Sequence, residues 1–132
     1  MMPKPTGIIR SPFKSMNEAP RQGRFSDAVG EVLIFEEYKS GLDGLQECSH
    51  IILIYWMHKA KRNVLKVIPP GSNECKGVFA TRSPHRPNPI GLTVVNLLEI
   101  RKNVLVVKGI DAIDKTPLID IKPFFKDVDC IS

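Results

Sequence analysis

Eleven prolines and nine glycines in a chain of 132 residues set the first limit on its fold. Proline fixes φ and removes a backbone donor, and glycine weakens any helix or strand it interrupts. Punctuation this dense argues against long helices and for short strands joined by defined turns. Between the breaks, the candidate strands are Gly7–Arg10, Glu31–Phe35, Ser49–Met57, Val64–Ile68, the short apolar run Gly77–Ala80, Gly91–Ile100, Val104–Lys108 and Leu118–Ile121. Ser49–Met57 (SHIILIYWM) is the clearest buried strand. Its β-branched and aromatic residues alternate little, which predicts cover on both faces and makes His50 a core histidine with a backbone partner. Gly91–Ile100 and Val104–Lys108 form a hairpin around Arg101-Lys102-Asn103, with Asn103 expected in the left-handed position. Tyr38–Cys48 is a possible single helix, weakened by Gly41 and Gly44. Residues 12–29 form a polar loop, long enough to suggest a function of its own. Six to eight short strands with one or two short helices predict an all-β chain folded as a small β-barrel, since closure removes exposed edges. The length predicts a single domain over residues 1–132.

Several function classes drop out. No G-x-G-x-x-G or P-loop is present, so a doubly wound nucleotide-binding sheet is not expected, and any cofactor must be held by something other than a glycine-rich turn. No G-x-S-x-G elbow is present. Cys48, Cys75 and Cys130 are odd in number and form no C-x-x-C pair, so neither a zinc site nor a disulfide framework is indicated. The longest apolar run, Ile51–Met57, is far short of the roughly 20 residues of a membrane helix. No secretory leader pattern opens the chain. These features predict a cytoplasmic protein with no membrane and no metal requirement.

The net charge of +5 is unevenly spread. Residues 58–90 carry Lys59, Lys61, Arg62, Lys66, Lys76, Arg82 and Arg86 against Glu74 alone, whereas residues 31–57 are acidic. A single-sign patch suits a phosphate-bearing partner, although a merely solvated face has the same composition. Within it lies Thr81–Pro89 (TRSPHRPNP), which cannot be regular structure. A proline-stiffened loop loses little entropy on binding. It presents Arg82 and Arg86, whose planar forks suit phosphate or carboxylate, and Asn88, which can donate and accept at a base edge. His58 follows the buried strand, where a barrel mouth would place a polar group or a base, or a satisfied surface histidine. Asp111, Asp114 and Asp120 are spaced too sparsely for a hard-cation loop. They suit ribose hydroxyls, an ammonium, a proton transfer, or simple turn capping.

Five stretches, in order, carry a family resemblance: GIIRSPFK, APRQG, GLQECSHIILIYWMH, GVFATRSPHRPNPIGL and GIDAIDKTPLIDIKP. Together they span residues 7–123 and resemble the TsaA-like domain family, whose characterised bacterial members are tRNA methyltransferases acting on N6 of threonylcarbamoyl-adenosine beside the anticodon. The resemblance implies a β-barrel that binds S-adenosylmethionine without a Rossmann sheet and works as a homodimer on the tRNA anticodon loop. It implies a cofactor site at Pro20, Arg21 and Gln22, completed by His58, Lys59, Arg82, Leu92 and the turn residues Asp111, Ile113, Asp114, Lys115, Thr116 and Pro117. Arg86, Asn88, Lys61 and Arg62 are then the residues expected to face RNA. The sequence departs from the family pattern at Lys115, which stands where glycine is usual. If that position needs a positive φ, Lys115 is strained or the turn differs. Bacterial members also carry an extra C-terminal region to which this sequence does not extend.

The chemistry expected is direct methyl transfer to N6, with the protein chiefly positioning the reactants. A urea-like N6 is a poor nucleophile with an acidic proton, so a base would help, and His58 and then Asp111 are the candidates. The rival readings are a non-catalytic barrel that binds S-adenosylmethionine or RNA, a methyltransferase acting on another nucleobase or a small molecule, and a metal-dependent hydrolase built on His58 and the aspartates.

Overall fold

The structure, a computed structural model, describes residues 2–20 and 26–131. Eight strands occur among them: β1 (Gly7–Arg10), β2 (Val29–Ile34), β3 (His50–Trp56), β4 (Lys66–Val67), β5 (Lys76–Gly77), β6 (Ile90–Arg101), β7 (Val104–Lys108) and β8 (Thr116–Pro123). Six of them close into a barrel in the order β1-β2-β7-β6-β3-β8, with β8 returning to β1. Every pairing is antiparallel. β4 and β5 form a separate two-stranded arm.

Alternation drives the closure. Ile9, Val32, Ile51, Leu53, Leu105, Val107 and Leu118 point inward and lose all contact with solvent. Each such side chain contributes roughly 1.5–3 kcal/mol. Two irregularities curve the sheet. One β-bulge lies where β3 meets β8, at Ile54/Tyr55, and another lies in β6 near Leu98, where Leu97 pairs with Val107 and Glu99 with Val106. An extra residue on one strand bends it and raises its twist, which closing a barrel requires.

Several local expectations need correction. The Ser49–Met57 run is covered on one face only. Ile51, Leu53 and Tyr55 are buried, while His50, Ile52, Ile54 and Trp56 are half-exposed on the outside. The outward residues are apolar too, which hid the period of two. His50 is therefore not a core histidine. It opens β3, contacts Ser49 Oγ through Nδ1 at 3.0 Å, and meets the edge of Phe124. The single helix over 38–48 is instead two 3-10 segments, Glu36–Leu42 and Leu45–Glu47. They part at Gly44, whose φ of 89° lies outside the reach of a helix. The run at 77–80 is a 3-10 turn, Val78–Ala80, and only Lys66–Val67 of the 64–68 run is extended. In the β6–β7 hairpin the left-handed residue is Lys102, with φ 55°, not Asn103. Asn103 serves differently. Its Nδ2 donates to the Ile34 carbonyl at 2.7 Å and its own carbonyl accepts from Ile34 N. It thereby fastens the hairpin to the end of β2.

Candidate functional site

Antiparallel order gathers one set of strand ends. Tyr55 near the end of β3 pairs with Gly91 at the start of β6 and with Leu118 near the start of β8, while Thr116 pairs with Ile9 of β1. The segment 109–116, the loop after β1 and the proline-rich loop before β6 therefore converge on one mouth of the barrel. A cavity of about 250 Å³ opens there. That is just below the roughly 300–1,000 Å³ usual for small-molecule sites.

At its floor is a pair that sequence reasoning only half found. Tyr55 Oη donates to Asp111 Oδ1 at 2.7 Å, and both side chains are buried. Burial and then the adjacent carboxylate push the Tyr55 phenol well above its ordinary range, with Arg82 opposing. The phenol therefore stays protonated and holds the carboxylate in one orientation. Room for the ring comes from Gly91. A Cβ built there would stand 2.4 Å from a Tyr55 ring carbon. Met16, Met57, Ala112 and Ile113 add apolar and thioether surface around the pair.

Arg82 and Arg86 both line the cavity but differ in what holds them. Arg82 is exposed and donates from Nη2 to the Leu92 carbonyl at 3.3 Å, which lays its fork along the rim. Arg86, expected to face RNA, is instead half-buried and turned inward. Its Nη1 donates to the carbonyls of Thr81 and Ser83 at 3.1 and 3.0 Å, and its Nη2 to Val78 at 2.7 Å. These acceptors are fixed main chain, so this guanidinium braces the proline-rich loop rather than a phosphate.

The expected turn residues also divide. Asp111, Ile113 and Thr116 line the cavity. Asp114 does not line it. Its Oδ1 accepts from Ser11 N at 3.0 Å and its Oδ2 pairs with Lys14 at 3.2 Å. Desolvation opposes ionisation there, but the Ser11 N–H and the Lys14 ammonium outweigh it and hold the carboxyl below its ordinary value. Lys115 has φ 67°, the left-handed conformation in question, with its side chain exposed. Pro117 pairs with Ile8 in the β1–β8 ladder.

Pro20, Lys59 and Leu92 line the cavity as expected. Arg21 and Gln22 lie outside the described residues. His58 does not line the cavity. It is exposed, and partial desolvation and then the charge of Lys59 lower its pKa. Lys61, Arg62 and Asn88 lie beyond the rim and are exposed. Lys61 N donates to His85 Nδ1 at 2.9 Å. Arg62 donates to the Pro87 carbonyl and Asn88 Oδ1, with its guanidinium 5.0 Å from the centre of the Trp56 ring. Among the described residues, no group of three or more His, Cys, Asp or Glu is placed to hold a metal ion.

Sequence reasoning missed Tyr55, Gly91, Met57 and Met16. Each read as ordinary core or loop, and only the β3–β6 register brings Tyr55 and Gly91 together.

A closed antiparallel barrel with a carboxylate, a buried phenol and an arginine fork at one mouth defines a class: a small ligand-binding barrel whose site owes nothing to a doubly wound sheet. Within that class the chain belongs to the tRNA-methyltransferase O N-terminal domain family, whose model matches residues 8–130. An S-adenosyl-L-methionine-binding protein of Archaeoglobus fulgidus is 55% identical over 132 residues, covering 100% of this chain and 95% of that one. A mouse tRNA (adenine(37)-N6)-methyltransferase is 38% identical over 137 residues, covering 98% of this chain and 32% of its own length. The crystal structure of TrmO from Pseudomonas aeruginosa superposes with a TM-score of 0.83 at 33% identity, and the chain spans 59% of that protein.

Proposed function

We propose that the chain binds S-adenosylmethionine in the barrel-mouth cavity and methylates N6 of an adenosine in tRNA, namely threonylcarbamoyl-adenosine beside the anticodon. The observation that carries this reading is the donor set around the cavity. A sulfonium cation and an α-ammonium favour aromatic, thioether and carboxylate neighbours, which Tyr55, Met57 and Asp111 supply. A carboxylate favours a planar cationic fork, which Arg82 supplies at the rim. Pro20, Leu92, Ile113 and Thr116 complete the walls, with Lys59 at the edge. Arg21 and Gln22 remain part of the proposal through family resemblance alone. Asp114, Lys115 and Pro117, which do not line the cavity, likewise remain part of the proposal through family resemblance alone.

When bound, S-adenosylmethionine supplies an electrophilic methyl group on sulfur. The chain's own contribution is orientation and exclusion of water by a stiff, largely apolar pocket. Asp111 is the better placed of the two candidate bases, because it lines the cavity and Tyr55 fixes its direction. His58, exposed and outside the cavity, would reach the reaction only from the substrate side.

The family resemblance also supports a homodimer in the cytoplasm, where tRNA is modified. The outer face of β3 and β6 suits a second copy. Ile90, Leu92 and Val94 lie opposite Trp56, Ile54 and Ile52, an apolar strip that begins at the cavity rim and carries Arg62 over the Trp56 ring at its rim end. Such a row is complementary to itself across a two-fold axis.

The test is calorimetric titration with S-adenosylmethionine, followed by methyl transfer to threonylcarbamoylated tRNA. Arg82→Ala is expected to weaken cofactor affinity about 10-fold or more, the scale of a lost charge-assisted hydrogen bond. Binding without turnover on any modified tRNA would favour the non-catalytic barrel. No binding at millimolar cofactor by a folded protein would end the methyltransferase reading.

A further inference from the structure

We propose that Phe79 is a stacking platform for an unpaired base of the RNA substrate, held rigidly beside the cofactor cavity. The inference rests on the tRNA reading above and adds the residue that would receive the RNA.

Phe79 is 85% exposed, the most open aromatic residue among the described residues. A lone exposed aromatic on a loose loop would mean little. Here the turn that carries it is fastened at both ends, at Val78 and at Thr81. Val78, one residue before, is buried and donates from N to the Leu65 carbonyl at 2.9 Å. The Val78 carbonyl accepts from Arg86 Nη2, from Thr81 Oγ1 at 3.0 Å and from Thr81 N at 3.1 Å. Arg86 is itself a wall of the cavity, so one guanidinium ties the Phe79 turn to the site. An immobilised backbone presenting an unburied ring is an arrangement preorganised to receive a flat partner.

The surroundings select what that partner is. Lys66 and Lys76 flank the turn in the β4–β5 arm, and Lys61 and Arg62 precede it in sequence. Among the described residues none of these four makes a salt bridge. Across residues 58–90 the only acid is Glu74. An exposed ring amid uncompensated cations fits single-stranded nucleic acid, whose bases stack on aromatic faces while its phosphates meet lysine and arginine. An apolar protein partner would gain nothing from the cations.

The experiment compares the full chain with Phe79→Ala, Phe79→Leu and Phe79→Trp. It measures affinity for threonylcarbamoylated tRNA, affinity for S-adenosylmethionine, thermal midpoint and oligomeric mass. Phe79→Ala and Phe79→Leu are expected to weaken tRNA binding about 10- to 100-fold, the scale of one stacked base. Phe79→Trp is expected to keep it within about 3-fold, because the indole has the larger π face. Cofactor affinity, thermal midpoint and mass should not move, since the ring touches neither cavity nor core. Wild-type affinity in Phe79→Ala overturns the platform and leaves the tRNA reading intact. Full affinity in Phe79→Leu overturns stacking in favour of simple apolar contact. Loss of self-association in Phe79→Ala assigns the ring to a protein interface and overturns the proposal. Failure of the wild-type chain to bind tRNA removes the underlying reading and the platform with it.

Discussion

At the scale of single residues, the site divides into side chains that face the cavity and side chains that hold it. Sequence reasoning could not tell the two apart. Asp111 and Asp114 looked alike, three positions apart, yet one lines the cavity and the other caps the turn after β1. Arg82 and Arg86 looked alike as residue types, and the resemblance sent one to the cofactor and the other to RNA, whereas three main-chain carbonyls hold Arg86. What a carboxylate or a guanidinium does depends on its partners, and those partners lie many residues away in sequence. Lys115 is the exception, because a glycine-like position could be suspected from pattern alone and its φ of 67° is now visible. Holding a Cβ in the left-handed region costs about 1–2 kcal/mol. Glycine offsets part of that through its looser unfolded state, by about 0.5–1 kcal/mol. Lys115→Gly is therefore expected to stabilise the chain by about 0.5–1 kcal/mol, raising the thermal midpoint by a few degrees, with Lys115→Ala giving no gain. Calorimetric melting checks this, and destabilisation by glycine would show that the Lys115 side chain contributes something its exposure does not suggest.

At the scale of elements, the strands were largely legible because β-branched runs and turn residues mark them locally. Gly7–Arg10 and the β6–β7 hairpin came out close to their observed limits. The failures cluster where a segment is apolar for reasons other than burial. The outward side chains of β3 hid its alternation, and Val78–Ala80 is a 3-10 turn with Val78 buried and Phe79 in solvent rather than a strand. The proline-rich loop was legible as stiff, but not its fastening. Prolines at 84, 87 and 89 limit its shapes, and Arg86 then selects one by bridging the Thr81, Ser83 and Val78 carbonyls. A lysine has the charge but not the fork needed to span them. Arg86→Lys is expected to destabilise the protein by about 1–3 kcal/mol, as half-buried carbonyls lose charged donors. It should also weaken cofactor affinity through the displaced wall, and leave the salt dependence of tRNA binding unchanged. Denaturant melts and salt titrations separate these effects. Unchanged stability together with a shallower salt slope would return Arg86 to the RNA surface.

At the scale of the whole molecule, closure decides where everything lies. Strands that pair around a ring bring the end of β3, the start of β6 and the approach to β8 to one mouth, so the chemistry collects there without a glycine-rich turn. The barrel itself was legible from composition and strand count. The site's membership was legible only in part: the resemblance named Pro20, Lys59, Arg82, Leu92, Asp111, Ile113 and Thr116, which line the cavity, but Tyr55 and Gly91 meet only through a register that no local pattern encodes. The same register lays Ile90, Leu92 and Val94 along the outer face against Trp56, Ile54 and Ile52, on the flank of the mouth. If a second copy covers this strip, assembly and ligand binding become one problem: the copy that covers Val94 would also shield Leu92 and Ile90, which line the cavity. Val94 itself does not line it, so a charge there tests the interface without touching the pocket. Val94→Asp is expected to convert a dimer into a monomer in sedimentation velocity, because two copies would each bring an unpaired carboxylate to a desolvated centre. Cofactor affinity should fall with dissociation and recover in part as protein concentration rises, while the thermal midpoint of the isolated barrel stays near that of dilute wild type. A wild-type chain that sediments as a monomer at every concentration, with full cofactor affinity, would show that each barrel mouth is complete alone and that the apolar strip has another occupant.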